Sequence, residues 1–160
     1  MDELRFGLGF DSHPRGGNRP LRLGGVTFEG EAGLAGHSDG DVICHALADA
    51  LLGAAALGDV GDHFPDTDPA MEGIGGPDLL RRTVSLLAER ELHPVSGDIV
   101  LVAATPEIRP RRDEIRAALS EALGIPPERV SVKASRPEGL GLTGDGAGCL
   151  ALAVVSASRR

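Results

Sequence analysis

Apolar and polar residues alternate over residues 4–10, the pattern of a strand with one buried face. The alternation stops at Asp11, so we expect the strand to end there. Side chains two apart on an extended backbone point the same way, which places Asp11 and His13 together at the strand end. A short hairpin is predicted over residues 21–28, with its turn at Gly24 and Gly25.

The first helix is predicted over residues 41–57. Ser38 and Asp39 are candidate N-caps, and Asp41 falls in the first turn, where the helix dipole favours an acid. Gly58 ends the helix. The apolar residues that recur at helical spacing and should form its core face are Leu47, Leu51, Leu52 and Ala55.

The rest of the chain alternates between helical and strand patterns. Helices are predicted over 78–89 and 111–123, and strands over 99–104, 130–134 and 149–156. An acidic segment (59–68) and two glycine-rich segments (72–77, expected to be mobile, and 135–148) connect them. This order predicts an α+β fold, with a mixed β-sheet packed against helices in a single domain over 1–160.

Composition narrows the function. The chain has 160 residues, 41% of them hydrophobic, which suits one core. A net charge of −8 argues against nucleic acid as a partner. No apolar run approaches a membrane span and no signal peptide is visible, so we expect a cytoplasmic protein with no membrane partner. Cys44 and Cys149 are predicted to be buried free thiols.

Asp11, His13 and His45 are the strongest candidates for chemistry. Their side chains are zinc ligand types, and catalytic zinc usually takes three protein ligands and keeps a fourth position open. An open position can accept water or a phosphate oxygen. The pattern favours a metal-dependent enzyme acting on a phosphorylated substrate.

Other acids and histidines are ambiguous. Asp49 shares a helix face with His45, where it is either an outer hydrogen-bond partner of a metal ligand or a solvated residue. His63 and His93 are alternative ligands that we take as surface histidines.

Three segments could contact an anionic ligand. His37 and Ser38 precede a helix whose free N–H groups would suit phosphate, although Ser38 could simply cap it. The acidic segment 59–68 is either a second cation or sugar site or a surface loop. In segment 133–141 a strand runs into a glycine loop that could approach phosphates, and Glu138 could hold Mg²⁺; an ordinary turn is the alternative.

Taken together, the segments resemble the 2-C-methyl-D-erythritol 2,4-cyclodiphosphate synthase family of the non-mevalonate isoprenoid (MEP) pathway. The resemblance rests on GFDSH, AGHSDGDVICHALADALLGAAALGDVGDHFPDTD, ATPEIRP and VKASRPEGLGLTG, which stand in the family's order and cover nearly the whole chain.

The resemblance implies a phosphorus–oxygen lyase. The 2-phosphate of 4-diphosphocytidyl-2-C-methyl-D-erythritol 2-phosphate attacks the β-phosphorus, so that CMP leaves and a cyclic diphosphate forms. It also implies a homotrimer with active sites between neighbours, and possible contact with other pathway enzymes. Asp11, His13 and His45 would bind zinc or another divalent transition metal, and Glu138 would bind Mg²⁺ or Mn²⁺ with the substrate.

The family's remaining site residues carry over position by position. His37 and Ser38 would position the methylerythritol 2-phosphate, and residues 103–109 with Ala134 and Ser135 would cradle the cytidine. His37 and Arg136 are the candidates for a catalytic role, and Asp49 for an outer-shell role. The implied substrate-binding set is Asp11, His13, His37, Ser38, Asp59, Gly61, Phe64, Asp66, Asp68, Ala103, Pro106, Ser135, Glu138 and Leu142.

This chain departs from the family pattern at several positions. Arg136 and Pro137 replace two threonines, and Arg136 would either donate to phosphate or obstruct the site. Glu107 replaces a lysine, which should lower nucleotide affinity. Asp145 stands where many members have arginine, so isoprenoid diphosphates should bind the trimer channel weakly or not at all. Leu142 replaces a common aromatic residue, a mild change.

Two other functions stay open. These departures would fit a catalytically weakened trimer kept for binding or assembly, although the intact metal triad counts against it. A zinc phosphohydrolase would use metal-bound water and release orthophosphate.

Overall fold

The structure, a computed structural model, describes residues 3–157. Its strands are β1 (Leu4–His13), β2 (Arg15–Gly17), β3 (Leu21–Leu23), β4 (Val26–Phe28), β5 (Gly33–Leu34), β6 (Leu92–Ala103), β7 (Val130–Ser135) and β8 (Ala147–Ala157). Its α-helices are α1 (Val42–Ala54), α2 (Val60–His63), α3 (Gly76–Ala88) and α4 (Arg112–Leu123). Short 3₁₀ turns occupy Pro69–Met71, Arg109–Arg111 and Pro127–Arg129.

The main sheet has the order β1–β8–β6–β7. β8 runs antiparallel to both of its neighbours, whereas β6 and β7 run parallel and are connected through α4. The register pairs Ala147 with both His13 and Ala103. The carboxyl ends of β1 and β6 therefore lie at one edge of the sheet, two strands or roughly 10 Å apart. The predicted α+β fold with a mixed sheet against helices is confirmed.

Two glycines let α1 lie directly on β1. A Cβ atom at Gly7 would come within 1.9 Å of the carbonyl oxygen of Ala50, and one at Gly9 within 2.0 Å of that of Ala46. No side chain fits these gaps, so the strand and helix backbones are in contact. The predicted core-face residues of α1 are all buried, namely Leu47, Leu51, Leu52 and Ala55.

The opposite face of the sheet is apolar and uncovered in this chain. Phe6 is 63% exposed, Leu8 66% and Phe10 59%, and Leu150 and Leu152 of the adjacent strand continue the patch. A contiguous exposed apolar surface marks a site of association rather than a solvated face.

Most predicted elements are confirmed with boundaries one to three residues away, and the hairpin turns at Gly24 and Gly25. The free, buried cysteines are confirmed as well. The mobility of segment 72–77 stays a prediction, and the chain ends of the predicted domain, residues 1–2 and 158–160, lie outside the described residues. None of the described helices is both long and apolar enough to cross a membrane.

Four boundary predictions were wrong. The helix α1 ends at Ala54, with Ala55 as its C-cap, rather than at residue 57 before Gly58. β1 continues through Asp11 to His13, because β8 pairs with it up to that residue. The N-cap of α1 is Asp41 rather than Ser38 or Asp39, since its carboxylate accepts hydrogen bonds from the N–H groups of Ile43 and Cys44.

β6 begins at Leu92 rather than residue 99, because β8 pairs with it along its whole length. This pairing stabilises the first half of β6 as a strand although that half contains polar residues. The acidic segment 59–68 is not a plain loop, since it includes α2.

Candidate metal centre and two adjoining cavities

Asp11, His13 and His45 converge at the edge of the sheet. Oδ2 of Asp11 lies 3.0 Å from Nε2 of His13 and 3.2 Å from Nδ1 of His45. One ligand atom from each residue falls within 4.8 Å of the other two, a spacing that a single ion could bridge. The predicted convergence of these three residues is confirmed.

Backbone packing brings the three residues together. Asp11 and His13 extend from the paired end of β1, and His45 lies in the first turn of α1. The contact between Gly9 and Ala46 fixes that turn directly above the strand. The cluster therefore depends on the strand–helix junction rather than on a flexible loop.

The second ring nitrogen of each histidine also has a partner. Nδ1 of His13 donates to the carbonyl oxygen of Ala35 at 2.6 Å, which leaves Nε2 for the cluster. Nε2 of His45 lies 3.1 Å from Oγ of Ser38, which leaves Nδ1 for the cluster. Such outer contacts fix the orientation of metal-ligating imidazoles.

The electrostatics favour a carboxylate beside protonated histidine in the metal-free chain. Burial acts to raise the pKa of Asp11, but hydrogen bonds from His13 and His45 and their charges hold that pKa well below its usual range. The hydrogen bond to Asp11 raises the pKa of His13, against an opposing effect of burial. A metal cation that displaced the proton of His13 would interact with the same Asp11 carboxylate.

The cluster opens into a first cavity of about 560 Å³. His37 and Ser38 line one side of it, and Met71, Ile74 and Leu79 give it an apolar wall. The predicted site residues found in its lining are Asp11, His13, His37, Ser38, His45, Asp49, Asp59, Gly61, Phe64 and Asp66.

The acidic side chains of segment 59–68 mostly accept hydrogen bonds from backbone N–H groups. Asp59 and Asp62 form a reciprocal capping box at the start of α2, and Asp68 accepts the N–H of Ala70 at 2.9 Å. These contacts do not support a second cation cluster in the segment. Asp66 lines the cavity, whereas Asp68 does not.

Asp49 lines the cavity but makes no hydrogen bond with His45. Its Oδ1 accepts the N–H of Val60 at 2.8 Å and so connects α1 to α2. Burial raises the pKa of the Asp49 carboxyl, which the Val60 N–H opposes. Its proposed action on a metal ligand stays a prediction.

A second cavity of about 310 Å³ lies at the carboxyl ends of β6 and β7. The first turn of α4 borders it with Arg112. The residues predicted to cradle the cytidine that line it are Ala103, Ala104, Pro106, Glu107, Ile108, Arg109, Ala134 and Ser135. The catalytic candidate Arg136 lines it as well.

The two cavities share no lining residue, and three predicted site residues line neither. One of them, Asp68, is half-buried. Glu138 and Leu142 are exposed and lie outside both. Sequence reasoning missed the apolar wall of Met71 and Ile74, because an apolar residue is normally predicted to lie in the core rather than to line a cavity. It also missed Arg112, although a run of arginines in an acidic chain was a visible signal.

The two alternative histidines lie apart from the cluster. The prediction of two surface histidines is wrong for His63, which is half-buried with Nε2 2.7 Å from the carbonyl oxygen of Leu57. His93 is exposed, as predicted, and lies in β6.

Comparisons with known proteins agree with this geometry. The model of the YgbB family matches residues 4–158. The 2-C-methyl-D-erythritol 2,4-cyclodiphosphate synthase of Symbiobacterium thermophilum is 50% identical over 151 residues, which cover 94% of this chain and 96% of that one.

Solved structures give the same result. The chain superposes on a 2C-methyl-D-erythritol-2,4-cyclodiphosphate synthase in its CDP-bound form with a TM-score of 0.86 at 35% identity, covering 94% of this chain and 99% of that one. It also superposes on the bifunctional IspDF of Campylobacter jejuni with a TM-score of 0.92 at 35% identity, covering 98% of this chain but 43% of the larger one. The resemblance seen in the sequence is thereby confirmed, and the chain belongs to the YgbB family of 2-C-methyl-D-erythritol 2,4-cyclodiphosphate synthases.

Proposed function

We propose that the chain converts 4-diphosphocytidyl-2-C-methyl-D-erythritol 2-phosphate into 2-C-methyl-D-erythritol 2,4-cyclodiphosphate and CMP. The observation that carries the proposal is the convergence of Asp11, His13 and His45 at the mouth of a cavity, in a chain whose full-length relatives are named for this reaction. An oxygen of the 2-phosphate attacks the β-phosphorus, the bond from that phosphorus to CMP breaks, and CMP carries away the electron pair.

The three residues fit a zinc ion. Two imidazoles and one carboxylate make up a common donor set for catalytic zinc, and each imidazole is already oriented through its other nitrogen. A divalent metal held there would supply Lewis-acid neutralisation of phosphate charge. Zinc is the metal we propose, because two nitrogen donors disfavour Mg²⁺ at this position.

The chain's own residues position the substrate. His37 and Ser38 line the first cavity next to the cluster, where they can donate to the 2-phosphate. The apolar wall of Met71, Ile74 and Leu79 limits water around the reacting groups. Since the nucleophile and the leaving group belong to one substrate, holding its two ends supplies most of the catalytic advantage as proximity.

No protein nucleophile is required. Cys44 and Cys149 are buried, and burial raises the pKa of both thiols, so neither is a thiolate near neutral pH. Arg136 lines the second cavity without a side-chain partner, which suits donation to a phosphate.

We further propose that the chain acts as a homotrimer with active sites between subunits. The outer face of the sheet exposes five apolar side chains in one patch, and such a patch marks a site of association (Phe6, Leu8, Phe10, Leu150 and Leu152). The substrate has a methylerythritol end and a cytidine end, and the two cavities share no wall in one chain. A neighbouring copy would bring its second cavity to the first cavity of this one.

Glu138 fits a site completed by the substrate. A single exposed carboxylate is a poor cation site alone, but Mg²⁺ or Mn²⁺ commonly bridges one carboxylate and substrate phosphates. Its position outside both cavities of one chain agrees with a role at a subunit junction. We propose the same for Leu142.

Contact with other pathway enzymes and a cytoplasmic location complete the proposal. The Campylobacter jejuni relative is a bifunctional chain, and this chain matches 43% of its length. Fusion in a relative supports association of this chain with the enzyme that corresponds to the remaining part of that relative.

Phosphorus-31 NMR tests the proposal. The protein is incubated with the diphosphocytidyl substrate, Zn²⁺ and Mg²⁺, and the products are quantified. We expect one CMP per substrate consumed, with a cyclic diphosphate and no orthophosphate. Orthophosphate would indicate the phosphohydrolase instead, and unchanged substrate with zinc-loaded protein would favour a binding role.

A further inference from the structure

The segment 36–38 carries two residues proposed to contact the substrate, yet it belongs to no helix or strand. Gly36 and His37 are exposed, and Ser38 is half-buried. A segment without regular backbone pairing is held in one shape by groups elsewhere in the chain that bind its backbone. The shape of this wall of the first cavity therefore depends on the partners of three backbone carbonyls.

Arg19, in the connection between β2 and β3, contacts two of these carbonyls. Its Nη1 donates to the carbonyl oxygen of Ser38 at 2.8 Å and lies 3.5 Å from that of Gly36, a longer and weaker contact. Arg19 is half-buried and does not line the first cavity. Its backbone packs against β5, because a Cβ atom at Gly33 would come within 1.9 Å of the Arg19 carbonyl oxygen. The guanidinium therefore extends from a fixed part of the chain.

The third carbonyl has its partner in the 72–77 segment. The N–H of Gly73 donates to the carbonyl oxygen of His37 at 3.0 Å. A Cβ atom at Gly73 would lie 3.3 Å from Nη2 of Arg19, so the two residues are side by side. Together they hold three consecutive carbonyl oxygens.

Ser38 connects this arrangement to the metal cluster. Its Oγ accepts the N–H of Gly40 at 3.2 Å and lies 3.1 Å from Nε2 of His45. One residue thus has its carbonyl oxygen bound by Arg19 and its hydroxyl beside a metal-ligand candidate. Site residues keep a productive geometry only when the groups behind them are themselves held in place.

We propose that Arg19 is a positioning residue, which holds His37 and Ser38 in place for the phosphate at the methylerythritol end of the substrate. It acts through the backbone of residues 36–38 and touches neither substrate nor metal. Displacement of a positioned group by about 1 Å can lower a rate by about 100-fold, so the contact matters for turnover as well as for folding. The role in turnover rests on the proposed function, whereas the hold on residues 36–38 rests on the hydrogen bonds themselves.

NMR spectra of the chain with ¹³C-labelled histidine test that hold without any substrate. The chain has five histidines, so single substitutions can assign each ring signal. Arg19→Met keeps an apolar stem and removes the donors. We expect it to shift the signals of His37 and His45 and to leave that of His93 in place.

Arg116→Met is the matched control for Arg19→Met. Arg116 is also half-buried and donates to backbone oxygens, those of Val130 and Pro127, but it lines neither cavity. Its removal should leave the His37 signal and the kinetics as they are in the wild type.

Steady-state kinetics at saturating Zn²⁺ and Mg²⁺ measure the consequence for turnover. We expect Arg19→Met to lower kcat/KM by about tenfold or more, because His37 and Ser38 lose their fixed position. Calorimetric affinity for CMP, which occupies the second cavity in the proposed reaction, should stay within about twofold. Arg19→Lys should give an intermediate rate, since an ammonium can replace the contact with Ser38 but lacks the guanidinium fork.

If Arg19→Met does not fold, Gly73→Ala and Gly30→Ala carry the comparison. Both glycines have positive φ, so alanine strains the backbone similarly at either position. A new Cβ atom meets Arg19 at position 73 and has nothing within 4 Å at position 30. Gly73→Ala should shift the His37 signal and lower kcat/KM, and Gly30→Ala should do neither.

An unchanged His37 signal in Arg19→Met, or an equal loss of kcat/KM in Arg19→Met and Arg116→Met, would overturn the inference. Wild-type protein that makes no cyclic product would refute the proposed function instead. The histidine spectra would then still decide whether Arg19 holds His37 and Ser38.

Discussion

Gly9 of β1 lies against the carbonyl oxygen of Ala46 in α1, so closely that a Cβ atom at position 9 would be 2.0 Å from that oxygen. Asp11 is two residues along the strand and His45 is next to Ala46 on the helix. The separation of two metal-ligand candidates is therefore set by a backbone contact that only glycine permits.

Replacing Gly9 by alanine should disturb both stability and metal binding. Carbonyl and amide atoms of α1 would have to move, which costs about 2 kcal/mol or more of unfolding free energy. The displaced helix should also lower zinc affinity at least about tenfold. Urea unfolding and competitive zinc titration measure the two effects.

Gly53→Ala is the control for that substitution. Gly53 lies on the same helix, but its nearest neighbour for a new Cβ, the Leu8 oxygen, is at an ordinary 3.8 Å. The change should stabilise the helix by about 0.5–1 kcal/mol and leave zinc affinity unaltered. Equal effects of the two alanines would refute the role assigned to Gly9.

Asp41 should be the most costly acid to remove. Its buried carboxylate accepts N–H groups from Gly24 and Gly25 as well as from the first turn of α1. Asp41→Ala leaves four donors unpaired and should cost about 3 kcal/mol or more, and Asp41→Asn should cost less, because one oxygen still accepts.

Chemical denaturation measures both variants, with Asp145→Ala as the exposed control. A loss below about 1 kcal/mol for Asp41→Ala would show that the hairpin and the helix do not depend on this carboxylate.

His45→Ala should abolish turnover and reduce bound zinc while the oligomer persists, since the apolar outer face is untouched. Zinc content by mass spectrometry and oligomeric state by light scattering measure the two properties. His93→Ala, an exposed change, should retain both zinc and activity. Full zinc occupancy in His45→Ala would contradict the ligand set.

The pH dependence of the metal-free protein should reflect the raised pKa of His13. A protonated His13 stabilises the folded state beside Asp11, so this contribution is complete below the ordinary value of 6.5 and disappears as the pH rises through the folded pKa. We therefore expect thermal stability in EDTA to fall from about pH 6 to about pH 8, relative to His13→Gln.

With zinc, the trend should reverse, because deprotonated His13 is the form that binds metal. Apparent zinc affinity should rise over the same interval. The depressed pKa of Asp11 means that its own contribution is present above 3.8 and is lost only as the pH falls through the lowered value. A metal-free stability difference that does not vary with pH would rule out the pairing.

Most elements and the Asp11–His13 pair could be predicted because they depend on local spacing. The approach of His45 to that pair depends instead on the contact between Gly9 and Ala46. Asp11 and His13 share one side of an extended backbone, and the spacing of leucines defined α1. The N-cap was misplaced because Ser38, Asp39 and Asp41 are all good caps, and only the distant Gly24 and Gly25 amides distinguish them. Arg112 was missed because its place in the wall of the second cavity depends on where α4 begins relative to the ends of β6 and β7.

The measurement that tests the account most directly is complementation between two inactive variants. His45→Ala removes a metal ligand, and Ala104→Trp fills the second cavity, which Ala104 lines. If each active site takes its metal cluster from one subunit and its nucleotide cavity from the next, co-expressed variants should regain about one quarter of wild-type CMP formation, although each is inactive alone. Absence of any recovery from mixed trimers would contradict a shared active site and place both functions within one chain.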